Sequence, residues 1–399
     1  MSQSQPEALD AGEASFVRRI FVWSLALRVV VSLILHLSGY SSFLAPDEGT
    51  YAAQGRFIAQ GWSGGTLGEA RILATNQPKA YFYLNAVMFH FLGDSEIPIK
   101  LLNCIVGAAA GGYLYRIGRL VHGREVARLA TLLFQFFPSL ILWSALNVRD
   151  VWLVFLILLV GYRGVLLARS FSLLRAAELL LLIYSVTLFR PYLFVAVALP
   201  PLLALVVGDQ TTHPLRRLVA FTVLSVGVIV LTDALEDERG RTISLEALAQ
   251  ARQASTEGES AVRTDVDISH PVEAVSWLPI GVAYFLLSPF PWQFTSPLKL
   301  LTIPEMLLLY WLTPSIARGL HHLLRRRLLD SLQPLLLTML LTAAYALGEA
   351  NVGTLYRHRA QVLGFYLLFA AVGMQRRPRR AGGPLEGLAE PSPQSHARF

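Results

Sequence analysis

Long apolar runs alternate with short polar turns along nearly the whole chain. Crossing a bilayer core takes about 20 apolar residues, fewer where neighbours bury the helix ends. Ten runs fit that pattern: 16–38, 97–115, 129–146, 151–168, 176–189, 192–207, 218–232, 301–317, 332–348 and 362–374. Two further apolar stretches do not. Residues 81–92 are too short to span and rich in aromatics, which predicts a helix lying in the interface. Residues 277–292 carry prolines and an aromatic at each end, and predict a re-entrant or interfacial segment. The expected architecture is an all-α polytopic membrane protein of about ten transmembrane helices, with interfacial helices in its external loops.

Charge orients this pattern. Basic residues favour the cytoplasmic side of a membrane protein. Arg18 and Arg19 open the first span; Arg116, Arg119, Arg124 and Arg128 follow the second; Arg163, Arg169 and Arg175 mark the cytoplasmic end of the fourth. Arg216 and Arg217, then Arg318 with Arg325 to Arg327, then Arg376, Arg377, Arg379 and Arg380 mark later cytoplasmic turns. Both termini are therefore expected in the cytoplasm, with tails at 1–15 and 376–399 flanking a membrane domain at 16–375. The external loops are expected at 39–96, 147–150, 233–300 and 349–361. Residues 39–80 read as a polar, Gly-rich loop with turns around Trp62, Gly64, Gly65 and Gly68, and residues 243–248 as a short helix in an acidic loop.

Composition agrees. Of 399 residues 54% are hydrophobic and 15% charged, against about a quarter charged in soluble domains. The net charge of +7 lies in arginines between apolar runs, the pattern of cytoplasmic loops and not of a nucleic-acid surface. Cys104 is the sole cysteine, so the chain has no intrachain disulfide, and no His/Cys spacing suggests a zinc site.

Candidate chemistry gathers on the external side. Asp47 and Glu48 follow the first span after Pro46. Adjacent carboxylates suit a general base or a pair of divalent-metal ligands, and equally a solvated acidic turn. Asp150 in Asn147-Val148-Arg149-Asp150 is either a helix-opening residue or a second acid completing the site, with Arg149 beside it. Arg357, His358 and Arg359 break the charge rule on the outer side. Their donors suit a phosphate or pyrophosphate, or lipid headgroups. Lys79 is a phosphate contact or a snorkelling lysine, and Arg190 before Pro191 belongs near them or simply ends a helix. A divalent cation between Asp47 and Asp150 is compatible with this set and not required by it.

The stretch PDEGTY after the first span, the lysine turn in NQPKAYFYLNAVMFHFLG, and the run IPIKLLNCIVGAAAGGYLYRIGRLVHGREVARLATLLFQFFPSLILW before a second acidic loop together resemble the GT-C class of membrane glycosyltransferases. The protein mannosyltransferase and aminoarabinose transferase branch is the one they resemble, over the first half of the chain. The resemblance implies a polyprenyl-phosphate-linked sugar donor and inversion at the anomeric carbon. It also implies Asp47 as catalytic acid position with Glu48 its partner, Lys79 as lipid-phosphate contact, and Asp150 as the second-loop acid. The branch usually has Lys-Pro-Pro where Pro78, Lys79 and Ala80 stand here. The expectation is thus a hexosyl- or pentosyltransferase acting on a glycan, lipid or protein acceptor at the outer face, with no nucleic-acid partner. Two other readings use the same charges: a polysaccharide polymerase or ligase with a pyrophosphate-linked donor, and a lipid-linked sugar flippase. The second wants an inverted repeat, and the sequence shows none.

Overall fold

A computed structural model describes residues 9–64, 79–207, 222, 245–254, 266–294 and 297–375. Among them the regular structure is helical throughout, with no strand. The chain is an all-α, multi-pass membrane protein.

Helix α1 (Ala11–Leu37) opens on a capping box between Asp10 and Glu13, which satisfies backbone donors at both positions. Its outer face is apolar and exposed, as with Trp23, Ile34 and Leu37, because lipid rather than water is its solvent. Three helices are long and apolar enough to cross a membrane: α1, α5 (Ile97–His122) and α8 (Asp150–Arg169). The pair α6 (Arg124–Gln135) and α7 (Pro138–Ala145), bent by 54° at its break, meets the same test only when counted as one span. Pro138 supplies no amide hydrogen there, so the helix breaks before it. The buried Arg28 of α1 donates to the Gln135 carbonyl at 3.0 Å, filling one of the acceptors the bend leaves free.

The remaining expected spans form shorter or more polar helices. These are α9 (Leu173–Phe189), α10 (Phe194–Val207), α14 (Ile303–Arg326), α15 (Leu332–Gly348) and α16 (Val352–Gln375). Residues 218–232 lie outside the described residues apart from Thr222, so three or four spans meet the length test where ten were expected. The short helix expected near 243–248 is α11 (Leu245–Ala254). The segment around 277–292 is α12 (Pro271–Leu287), packed on α15, and α13 (Pro297–Leu300) leads into α14.

Two expectations about loops are corrected. Residues 39–80 are not loop throughout: they form α2 (Ser41–Leu44) and then α3 (Asp47–Ser63), which packs on α4 (Lys79–Leu92). Residues 349–361, expected as an external loop, are mostly helical, because α16 begins at Val352 and runs through Tyr356-Arg357-His358-Arg359. α16 is buried along most of its length between α6, α8, α14 and α15. It meets α14 backbone to backbone: a Cβ at Gly319 would strike the Phe369 carbonyl, and one at Gly373 the Ser315 carbonyl.

Candidate active site

The site forms where four helix ends meet. Pro46 precedes α3, so Asp47 falls in the first helical turn, where the dipole favours a carboxylate. Asp150 likewise opens α8. The turn before it is held by a polar lattice. Asn103 donates to the Leu146 carbonyl at 2.8 Å and to the Tyr81 hydroxyl at 2.7 Å, and Tyr81 donates to Asn147 Oδ1 at 2.8 Å.

Arg357 joins the two acids. Its Nε donates to Asp150 Oδ2 and its Nη1 to Asp47 Oδ2, each at 2.6 Å. The guanidinium lies 5.7 Å from the Trp143 ring centroid. Asp150 is fully buried, whereas the Asp47 side chain is 54% exposed. Asp150 Oδ1 also accepts from Gln361 at 2.9 Å and pairs with Arg190 at 3.5 Å. Arg190 in turn pairs with Glu349 at 3.8 Å, and His358 Nδ1 meets Glu349 Oε1 at 2.8 Å. Burial alone would raise the Glu349 carboxyl; His358 and Arg190 outweigh it and hold the group below its ordinary value.

The side chains of Arg357, His358 and Arg359 fan out because successive helical residues turn by about 100°. Arg357 faces the acids, His358 faces Glu349 and Arg190, and Arg359 points elsewhere. It donates to the Leu286 and Ser288 carbonyls at 3.0 and 2.7 Å and pairs with Glu305 at 3.5 Å. The three are therefore not one phosphate clamp. Arg149 stands at the start of α8, and its Nε and Nη1 have no hydrogen-bond partner among the described residues. Burial, with Arg190 nearby, lowers that guanidinium from its ordinary value. Lys79 begins α4; its side chain lies outside the described residues.

Glu48 parts from Asp47. It is buried, accepts from the Asn147 amide at 2.5 Å and pairs with Lys100 at 3.2 Å. It fastens α3 to α5 and to the turn before Asp150. The sequence offered a signal for Lys100, a lone lysine within an apolar run, which membrane burial makes costly unless paired. Nothing in the local sequence pointed to Glu349 or Gln361 as partners of the site.

Asp47 and Arg357 line a cavity of about 840 Å³. Lys299, Thr302 and Thr354 add polar groups to its lining, and Leu35, Leu44 and Leu142 apolar ones. The facing oxygens of Asp47 and Asp150 are both engaged by Arg357, which stands where an ion shared by them would have to sit. A carboxylate pair neutralised by a guanidinium does not fit a divalent cation held between them. No group of three or more His, Cys, Asp or Glu able to hold a metal occurs among the described residues.

Residues 76–234 match the model of the dolichyl-phosphate-mannose-protein mannosyltransferase family. The chain resembles the GT-C membrane glycosyltransferases, as its motifs imply. The matched stretch runs from just before α4 past α10 and contains Lys79, Arg149, Asp150 and Arg190; Asp47 and Arg357 lie outside it. Among solved structures, the chain is similar to the archaeal oligosaccharyltransferase AglB from Archaeoglobus fulgidus, in complex with an inhibitory peptide and a dolichol-phosphate. The identity is 13% and the TM-score 0.42, over 88% of this chain and 50% of that one. The chain thus spans about half the length of the structure it matches. No curated protein matches it.

Proposed function

We propose that the chain is an inverting glycosyltransferase that moves a sugar from a polyprenyl monophosphate carrier to an acceptor hydroxyl at the outer face of the membrane. The observation that carries this reading is the Asp47–Arg357–Asp150 bridge, two of whose members line a cavity with both polar and apolar residues in its wall. The matched family's description, which names a dolichyl-phosphate sugar, supports the donor class.

Asp47 is the base. It takes the proton from the acceptor hydroxyl as that oxygen attacks the anomeric carbon. The bond from that carbon to the phosphate oxygen breaks, and its electron pair leaves with the phosphate. The products are the inverted glycoside and the polyprenyl monophosphate. A phosphate leaves without a strong general acid, so the scheme needs none. Arg357 fixes the Asp47 carboxylate on the cavity wall, and the buried Asp150, itself held by Gln361 and Arg190, fixes Arg357. Preorganised groups of this kind cost no rearrangement during the reaction.

The outer-face assignment has a geometric support. The opposite end of α1 carries Glu13, which pairs with Arg119 at 2.9 Å and Arg124 at 3.2 Å. These belong to the basic turn expected in the cytoplasm, so the site lies at the other end of a helix of 27 residues. That is about 40 Å away at 1.5 Å per residue.

The test is donor choice in membranes containing the protein. Radiolabelled polyprenyl monophosphate sugars should yield a lipid-free or acceptor-linked product of inverted anomeric configuration. Transfer from polyprenyl diphosphate sugars alone, or movement of the intact donor across vesicles without bond cleavage, contradicts the proposal.

A further inference from the structure

Arg149 stands beside the Asp47–Arg357–Asp150 bridge and takes no part in it. It caps α8 directly before Asp150. Its Nε and Nη1 are buried and meet no hydrogen-bond acceptor among the described residues. The neighbouring guanidiniums are bonded to carboxylates: Arg357 to Asp47 and Asp150, Arg190 to Asp150 and Glu349. Arg190 repels Arg149, while Tyr51 and Asp150 attract it. Two donors of a cation have thus left water without gaining an acceptor, which costs stability. A neutral side chain would serve the fold better there. A phosphate oxygen at either donor reverses the deficit, because a charge-assisted hydrogen bond is among the strong ones.

The position suits a leaving group. Tyr51 stands one turn along α3 from Asp47, on the same face. It feels the charges of Arg149, Arg357, Asp150 and Asp47 together, so Arg149 belongs to the same cluster as the base. Yet Arg149 is not in the wall of the cavity that Asp47 and Arg357 line. Inversion asks for that separation. The attacking and leaving oxygens lie on opposite sides of the anomeric carbon, and a phosphate held away from Asp47 avoids that carboxylate's charge. Tyr81, in the first turn of α4, donates to Asn147, two residues before Arg149. This brings the amino end of α4 to the same turn, and the dipole there favours an anion as well. Arg149 as a whole is half-buried, so the position is not sealed off.

We infer that Arg149 binds the phosphate of the lipid carrier and receives the charge left on its oxygen when the bond to the anomeric carbon breaks. The inference rests on the donor class proposed above. It makes Arg149 a substrate-binding residue and leaves Arg357 to hold the base.

The probe is polyprenyl monophosphate without a sugar, titrated into the full-length protein in lipid nanodiscs. Uncharged polyprenol and inorganic phosphate are the other two arms. The wild-type chain should prefer the lipid phosphate to both. Arg149→Gln should weaken lipid-phosphate binding roughly tenfold or more, the loss expected for one charge-assisted hydrogen bond, and leave polyprenol binding unchanged. Arg149→Lys keeps the charge and should retain the preference. Without lipid, Arg149→Gln should unfold no earlier than wild type, because it removes a buried cation that bonds to nothing. Undiminished affinity of Arg149→Gln for the lipid phosphate overturns the assignment while the donor reading stands, and so does a clearly lower unfolding temperature without lipid, which marks a structural arginine. Inorganic phosphate that binds as tightly as the lipid phosphate makes this a free-anion site and overturns the inference. A wild-type chain that binds lipid phosphate and polyprenol equally overturns the donor reading, and this inference with it.

Discussion

Arg357 Nη1 lies 2.6 Å from Asp47 Oδ2, joining the first turn of α3 to the first turns of α16 across 310 positions of sequence. The same guanidinium reaches Asp150 through Nε. Three helix ends, from three parts of the chain, are thereby locked at one point.

Replacing Arg357 should be costly in two ways. Arg357→Gln leaves Asp150 buried with Arg190 as its remaining cation and releases Asp47 from the wall. Removing one partner of a buried ion pair costs about 3–5 kcal/mol. Arg357→Lys should rescue little, because the bridge uses two separate nitrogens, Nε to Asp150 and Nη1 to Asp47, and an ammonium offers all its donors from one. Thermal unfolding in detergent and a transfer assay read both effects. A Lys variant as stable and active as wild type would remove the bridge from the account.

Glu48 and Lys100 should behave as scaffold. Both are buried, at 4% and 2% side-chain exposure. Lys100→Met strands the Glu48 carboxylate and should cost about 3–5 kcal/mol, most of it recovered in the Lys100→Met/Glu48→Gln double variant. If the double variant unfolds as early as the single one, the pair is not what matters there.

The α14–α16 contact permits no side chain at Gly319. Gly319→Ala should push the helices apart, cost about 1–3 kcal/mol and lower transfer by shifting the helix that carries Arg357. Gly112→Ala is the control, since the nearest neighbour to its Cβ lies 3.8 Å away. Equal melting temperatures for the two variants would mean that α14 and α16 have room to spare. Small residues at such crossings let membrane helices approach closely.

The sequence disclosed the class of fold and the two acids because both follow from one-dimensional signals. Apolar runs announce helices in lipid; Asp47 stands in the loop that follows the first run, and Asp150 directly before another. The arginine that breaks the charge rule, Arg357, was legible for the same reason. What the sequence could not disclose was direction. Asp47 and Glu48 are neighbours, yet a 100° turn sends one to the cavity and the other to Lys100. The same rotation splits Arg357, His358 and Arg359 among three sets of partners. Residues 349–361 read as loop because their charge suggested solvent. Glu349, Glu305 and Asp150 neutralise that charge within the protein, so the helix continues through it.

The central claim is that the Asp47 carboxylate takes the acceptor proton. The direct measurement is sugar transfer from a polyprenyl monophosphate donor by Asp47→Asn, purified beside wild type and matched for unfolding temperature. Asparagine still accepts a hydrogen bond from Arg357, so the wall stays in place while the base is lost. Transfer should fall by about 10²- to 10⁴-fold, with donor binding retained. An Asp47→Asn protein that transfers sugar at the wild-type rate would contradict the claim.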